Sequence, residues 1–306
     1  MIEISTSVES LEQAKRLVTL DIDVLYVGEE EFGLRLPYNF TRSELKEVVK
    51  LAHKHDKKVR VAVNAIMHPE KMEKIPEYLA YLESINVDDI VVGDPGVIYV
   101  LRRDGYNLPF IYDAATMVTS SRQINFWAKK GARGAVLARE IPFLELEEIA
   151  KEASVFCEVL VYGATCIHHS KRPLVSNYYS FTKQKDGVGK SKGLFISEPK
   201  EEDTHYSIYE DQHGTHIFAT NDVDLMLETS DLTSAGLTHW KLNGMYTPGE
   251  DYLKILECFI EAKHLIETGK WSTDEVSRLQ EVIEAHHPVG RGLDTGFYYL
   301  NPDEIR

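Results

Sequence analysis

Four cations in this sequence, Arg35, Arg139, Arg172 and Lys241, stand shortly after short apolar runs, and one carboxylate, Glu158, stands inside such a run. Guanidinium forks and an ammonium brought to one place would hold a carboxylate or phosphate ligand. The plain alternative is a rim charged on structural grounds. Glu158 lies between Cys157 and Val159. A carboxylate in an otherwise apolar strand has to be paired, protonated or turned toward a lumen, which makes Glu158 a candidate general acid or base, or the partner of one of the cations. Cys166 is a candidate nucleophile if His168 or His169 activates it. Cys-x-His spacing alone does not specify a metal, and no CxxC pair or HExxH helix supplies further ligands, so no metal site is assigned and both histidines read as loop residues. His213 and His216, in DQHGTHIF, read as a turn leading into a strand, with Gly214 supplying the special backbone angle.

Positioning these side chains falls to an alternating pattern. β-Branched or apolar runs at 2–5, 24–27, 59–63, 89–92, 110–112, 134–137 and 155–161 alternate with helically spaced segments at 11–17, 42–54, 70–83, 96–101, 121–130 and 143–152. A polar stretch at 183–200 and a hairpin-and-loop excursion at 194–218 interrupt the rhythm. It resumes with an eighth run at 237–242 and an amphipathic helix at 252–267. The pattern predicts an α/β fold: a (β/α)8 TIM-like barrel over 1–271 with an insertion after strand seven, at about 177–236, and a C-terminal helix and tail over 272–306. In such a barrel the residues just past each strand build the site. These include Glu29, Asn64, Asp94, Asp113, Thr119 and Asn243 besides the cations. Asp94 and Thr119 also suit helix caps, and Arg139–Glu140 a local ion pair. No GxGxxG or P-loop sequence is present.

The 306 residues carry 34 Lys and Arg against 49 Asp and Glu, a formal charge of −15. That field repels nucleic-acid phosphates and argues against a solitary nucleic-acid binder. It leaves room for a small anion in a local basic pocket, or for a nucleic acid gripped chiefly by a second subunit. Mean hydropathy is −0.27, and no apolar run approaches the roughly 20 residues of a membrane-spanning helix. The N-terminal MIEISTSVES has no secretory pattern, and three cysteines make no full disulfide framework. The expectation is a cytoplasmic protein with reduced thiols and no membrane partner.

The stretch from Glu158 through Tyr162-Gly163-Ala164, Cys166 and Pro173 to Ser176-Asn177-Tyr178 resembles the signature of the collagenase-like peptidase family U-32. Further segments agree with it: Val27-Gly28 with Phe32 and Arg35, Val61 with Asn64, Val136 to Glu140, Glu210 to Gly214, Lys241 to Gly244, and Gly290 to Phe297. In longer family members the resemblance implies an iron–sulfur cluster held by four cysteines and hydroxylation of nucleic-acid bases or ubiquinone precursors. Here Cys166 matches the first ligand position, Pro173 stands at the second, and 194–209 contains no cysteine pair. Cys157 and Cys258 read as core. The short form without cluster ligands resembles the first of the paired Bacillus-type proteins for prephenate-dependent hydroxylation of tRNA wobble uridine to 5-hydroxyuridine. The resemblance thus implies no cluster on this chain, prephenate as co-substrate, a longer cluster-bearing paralogue as partner, and tRNA reached through that complex. The positions of the residues make Arg35, Arg139, Lys241 and Arg172 the candidates for anion binding, with Glu158 and Cys166 as the catalytic candidates. Two other classes stay open: a peptidase of the collagenase-like kind and a non-catalytic scaffold.

Overall fold

In the computed structural model, which describes residues 1–304, eight short parallel strands close into a barrel. The first seven are β1 (Glu3–Ser7), β2 (Val24–Val27), β3 (Lys58–Val63), β4 (Asp89–Val92), β5 (Phe110–Tyr112), β6 (Ala132–Val136) and the first half of β7 (Phe156–Ser170). Between β7 and the closing strand come β8 (Phe195–Glu198), β9 (Glu201–Asp211) and β10 (Gly214–Asp224). Closure is made by β11 (His239–Asn243), which runs parallel to both β7 and β1. Helices between the strands cover the barrel. That at Arg42–Lys54, for example, starts on a Thr41/Glu44 capping box and buries Leu45, Val48, Val49 and Ala52. No helix among the described residues is long and apolar enough to cross a membrane.

Two departures from the sequence pattern shape the site. Strand β7 does not end near residue 161 but runs 15 residues to Ser170. Its second half leaves the barrel and pairs antiparallel with β10, from Ala164 opposite Asp222 to Ser170 opposite Thr215. His168 and His169 are therefore strand residues, not loop residues. The change of partner occurs at Gly163, whose φ is +129° and where a Cβ would lie 2.4 Å from the Asn243 carbonyl oxygen. Only glycine tolerates both the angle and that approach. The apolar run in the sequence ends there because the strand leaves the core there.

The excursion is tied down at both ends. Glu210 on β9 accepts from the backbone amides of Val175 (2.5 Å) and Ser176 (3.2 Å), capping the helix Leu174–Thr182. Arg291 donates through Nε to Asp222 (2.9 Å) and through its other nitrogens to Ser207 and the Ala219 carbonyl. It thereby brings β12 (Gly292–Asp294) alongside β10.

The lower lumen is filled by charge. Arg60 of β3 donates to Asp89 of β4 (Nε to Oδ1, 2.6 Å) and to Glu158 of β7. Lys241 of β11 stands 3.4 Å from the other Glu158 oxygen and 3.8 Å from the Tyr26 ring centroid. Burial opposes the Glu158 charge, but Arg60 and Lys241 outweigh it and hold the carboxyl below its usual range. Above this group Tyr26, Leu36, Ala62, Val91, Ile111 and Val136 form a separate apolar cluster that closes the lumen.

Removing the shared anion should be costly. Glu158→Ala leaves the buried Lys241 without its ion-pair partner and Arg60 with Asp89 alone at close range, and is expected to lower unfolding stability by about 3–5 kcal/mol, read from urea midpoints. The sign of the pH dependence follows from the depressed carboxyl. In the wild type, the Glu158 contribution is complete above the ordinary value of 4.5 and disappears as pH falls below it. The variant should lack that acid-side loss.

Candidate functional site

At the C-terminal end of the barrel the loop after β2 carries Arg35, and strong local constraints hold it. Asn64 accepts from the Leu34 amide (3.0 Å), the Ala65 amide donates to Phe32 (3.0 Å), and Lys190 of the excursion donates to the Leu36 carbonyl (3.1 Å). Arg35 itself sits in the left-handed region at φ 55°. A non-glycine residue there costs roughly 1 kcal/mol or more and persists only where the surroundings impose it. Its Nη1 lies 3.9 Å from Cys166 Sγ.

Arg139, just past β6, faces the same space. No carboxylate lies within ion-pair distance of Arg35 or Arg139 among the described residues, so Arg139 and Glu140 do not form the local pair that their adjacency suggested. Burial, and after it the Arg35 guanidinium, disfavours the Arg139 charge, with Asp113 only partly offsetting them. Two guanidinium groups that repel each other without a counterion are the electrostatic condition for anion binding.

Cys166 sits between these cations and a histidine. Phe218 of β10 is opposite Cys166, which puts His216, two residues along, on the same face. The His216 ring is fully buried, stacked against His169 (4.4 Å) and Tyr209 (4.8 Å), and its Nε2 is 3.0 Å from Asp211 Oδ1. Burial opposes the Cys166 thiolate, yet His216, Arg35 and Arg139 together hold the thiol below its ordinary value. Burial likewise opposes protonation of His216, and Asp211, then Cys166, overcome it, so its value is raised. Neither the His168 ring nor the His169 ring is hydrogen-bonded to the Cys166 thiol. His168 offers its backbone carbonyl to the thiol (3.3 Å), while burial keeps His169 neutral, its value lowered to about 4.

The predicted residues thus fall into separate groups. Arg35, Arg139 and Cys166 converge at the mouth. Glu158 and Lys241 are coupled to each other in the lumen, with the Lys241 ammonium 3.8 Å from the Tyr26 ring centroid. Arg172 is exposed on the excursion. Asp94 caps a helix by accepting from Gly96 (2.7 Å), whereas the cap at the next helix is Ser120 rather than Thr119. Sequence reasoning missed Tyr26, Arg60 and the His216–Asp211 pair. The signal for the last was the DQHGTHIF turn, which does place Gly214 at φ +111°, but nothing in the sequence links it to a cysteine some 50 residues earlier.

A cuboidal iron–sulfur cluster does not fit these residues. It requires about four thiolates. Cys157 is buried in β7 and Cys258 in the helix Gly249–Glu267, where burial pushes their thiols up to about 12 and about 11. No group of three or more His, Cys, Asp or Glu suited to a metal ion occurs among the described residues.

The class that the fold defines is the closed (β/α)8 barrel, here with a pair of arginines at its C-terminal mouth. The model of Peptidase family U32 matches residues 9–306, and the chain belongs to that family. It is 36% identical over 290 residues to the tRNA hydroxylation protein P2 of Bacillus subtilis, covering 92% of this chain and 93% of that protein. To the tRNA hydroxylation protein P1 of the same organism it is 34% identical, over 55% of this chain and 40% of that protein. The member of the pair matched end to end is thus the one numbered second, whereas the sequence reading had named the first. The Escherichia coli tRNA hydroxylation protein P is 24% identical over 72% of this chain and 59% of its own length. Among solved structures, the U32 peptidase Mk0906 shares the fold with a TM-score of 0.50 at 17% identity, over 79% of this chain and 92% of that one.

The arginine pair yields a direct expectation. Millimolar malonate should raise the thermal midpoint by mass action on the folded state, and Arg139→Ala should abolish the rise. An equal rise in both proteins would place the bound anion elsewhere.

Proposed function

We propose that this chain contributes to tRNA modification, the hydroxylation of a wobble uridine to 5-hydroxyuridine, in the cytoplasm and with prephenate as co-substrate. It would act beside a longer family member that carries an iron–sulfur cluster. The observation that carries this reading is the end-to-end likeness to the tRNA hydroxylation protein P2 of Bacillus subtilis. The partial match to the longer P1 supports a paralogue as partner. Prephenate is a dianion, and the unneutralised Arg35 and Arg139 are suited to one of its carboxylates. Lys241 is not needed for this, since its charge is balanced by Glu158.

The excursion supports contact with RNA despite the acidic whole. Residues 171–200 contain seven Lys or Arg and two Asp or Glu, a locally basic segment in an acidic chain. Arg172, Lys183 and Lys185 are exposed, and Tyr178 and Phe181 on the intervening helix are 58% and 86% exposed. Exposed aromatic rings among cations suit unstacked bases and their phosphates.

The peptidase alternative has one observation in its favour, the row Cys166, His216, Asp211, in which a thiol, a base and an orienting carboxylate stand in order. Cleavage of gelatin by metal-free protein, lost in Cys166→Ala, would establish it. The RNA reading has its own test. Deleting the gene, together with any paralogue that compensates, should remove 5-hydroxyuridine from tRNA by mass spectrometry. The wild-type gene should restore it and Arg139→Ala should not; unchanged modification in the deletion refutes the reading. Replacing both Tyr178 and Phe181 by alanine should weaken tRNA binding by the chain–paralogue assembly at least about tenfold in fluorescence anisotropy, as loss of one or two stacked bases implies.

A further inference from the structure

We propose that Cys166, His216 and Asp211 form a nucleophilic site for small carboxylates that carry an electrophilic carbon, such as 2-oxo acids, with Arg35 and Arg139 holding the carboxylate. The proposal rests on the anion-binding reading of the barrel mouth and adds the reactive group that the bound anion presents.

Three independent features meet there. The first is the ring of His216, fixed between His169 and Tyr209 and tied through Nε2 to Asp211 at 3.0 Å. Its Nδ1 is buried without a hydrogen-bond partner, and Cys166, opposite Phe218 on the paired strand, lies on the same face as His216. A buried imidazole nitrogen left open is costly unless it is used. The second feature is the left-handed Arg35, whose Nη1 stands 3.9 Å from the sulfur. The third is Arg139, which has no acid to neutralise it. Because the chain cannot assemble four thiolates, Cys166 is free of any duty as a cluster ligand.

The chemistry closes without an external oxidant or reductant. His216 takes the thiol proton, and the thiolate sulfur adds to the 2-oxo carbon. One S–C bond forms, the carbonyl π pair moves to oxygen, and that oxygen takes the proton back from His216. The carboxylate remains on the guanidinium groups throughout. The product is a thiohemiketal, and reversal releases the acid unchanged. Asp211 stabilises the imidazolium that exists between the two proton transfers.

Alkylation reads this site directly. Iodoacetate and iodoacetamide both form an S–C bond with loss of iodide, but only iodoacetate carries a carboxylate. The rates at Cys166 are measured by peptide mass spectrometry, with the urea-unfolded chain as reference. The iodoacetate-to-iodoacetamide ratio in the folded protein should exceed the unfolded ratio by roughly tenfold, the size of one charge-assisted hydrogen bond. Arg139→Ala should return the ratio to the unfolded value; a change in thiol reactivity common to both reagents cancels in the ratio. His216→Asn should slow both reagents and preserve the ratio, and near-UV circular dichroism identifies any variant that has lost the fold. Finally, 2-oxoglutarate should protect Cys166 at lower concentration than 2-hydroxyglutarate, which has equal charge and no electrophilic carbonyl.

The outcomes separate the two layers. A folded ratio equal to the unfolded one overturns the anion site and the proposal together. A raised ratio that depends on Arg139, with an iodoacetamide rate no faster than in the unfolded chain and insensitive to His216→Asn, leaves the anion site and overturns the nucleophile. Equal protection by the two glutarates overturns covalent addition to the 2-oxo carbon.

Discussion

The arrangement of this barrel depends on one buried anion shared by two cations. Glu158 accepts Arg60 on one oxygen and faces Lys241 across 3.4 Å on the other, while Arg60 also binds Asp89 of the neighbouring strand. These residues come from β3, β4, β7 and β11, so the charges join opposite walls of the lumen. Apolar side chains could fill the same space and would not require those four strands to keep one register. A buried charge network does, because a shift by one residue turns every partner to the outside and leaves the others unpaired.

Such a network also decides what the mouth can do. By drawing Lys241 and Glu158 together beside the Tyr26 ring, the fold pairs one of the candidate cations with the candidate acid. Arg35 and Arg139 are left above them without counterions. Their repulsion, the left-handed backbone at Arg35 and the thiol of Cys166 are then parts of one arrangement at the barrel mouth. The net charge of −15 makes the cations at the mouth and on the excursion a local exception to the sign of the whole.

That excursion is a continuation of the barrel and not a separate addition. Strand β7 passes from the lumen wall into the antiparallel sheet through Gly163, so Glu158 at the base, Cys166 at the mouth and the His216 sheet above share one continuous backbone. Arg291 and β12 then close the tail over that sheet. The excursion is therefore continuous with the strand that carries Cys166, and Lys190 ties it to the Arg35 loop.

Much of the architecture was legible in the residues alone. Eight apolar runs alternating with amphipathic segments define a parallel barrel because a strand buried on both faces needs a continuous apolar run and a helix buried on one face needs a 3.6-residue period. The positions of Arg35, Arg139 and Cys166 after strands two, six and seven follow from the same periodicity. The second half of β7 was hidden, since TCIHHS carries no alternation once the strand leaves the core. So was the division of the four cations, because Arg60 looks in sequence like an ordinary strand residue and no local pattern says that it reaches Glu158 98 positions away. The pairing of Cys166 with His216 was hidden for the same reason. Local chemistry determines which residues lie inside a strand or at its end; which charge finds which partner is set by long-range closure of the barrel, and only the tertiary structure decides it.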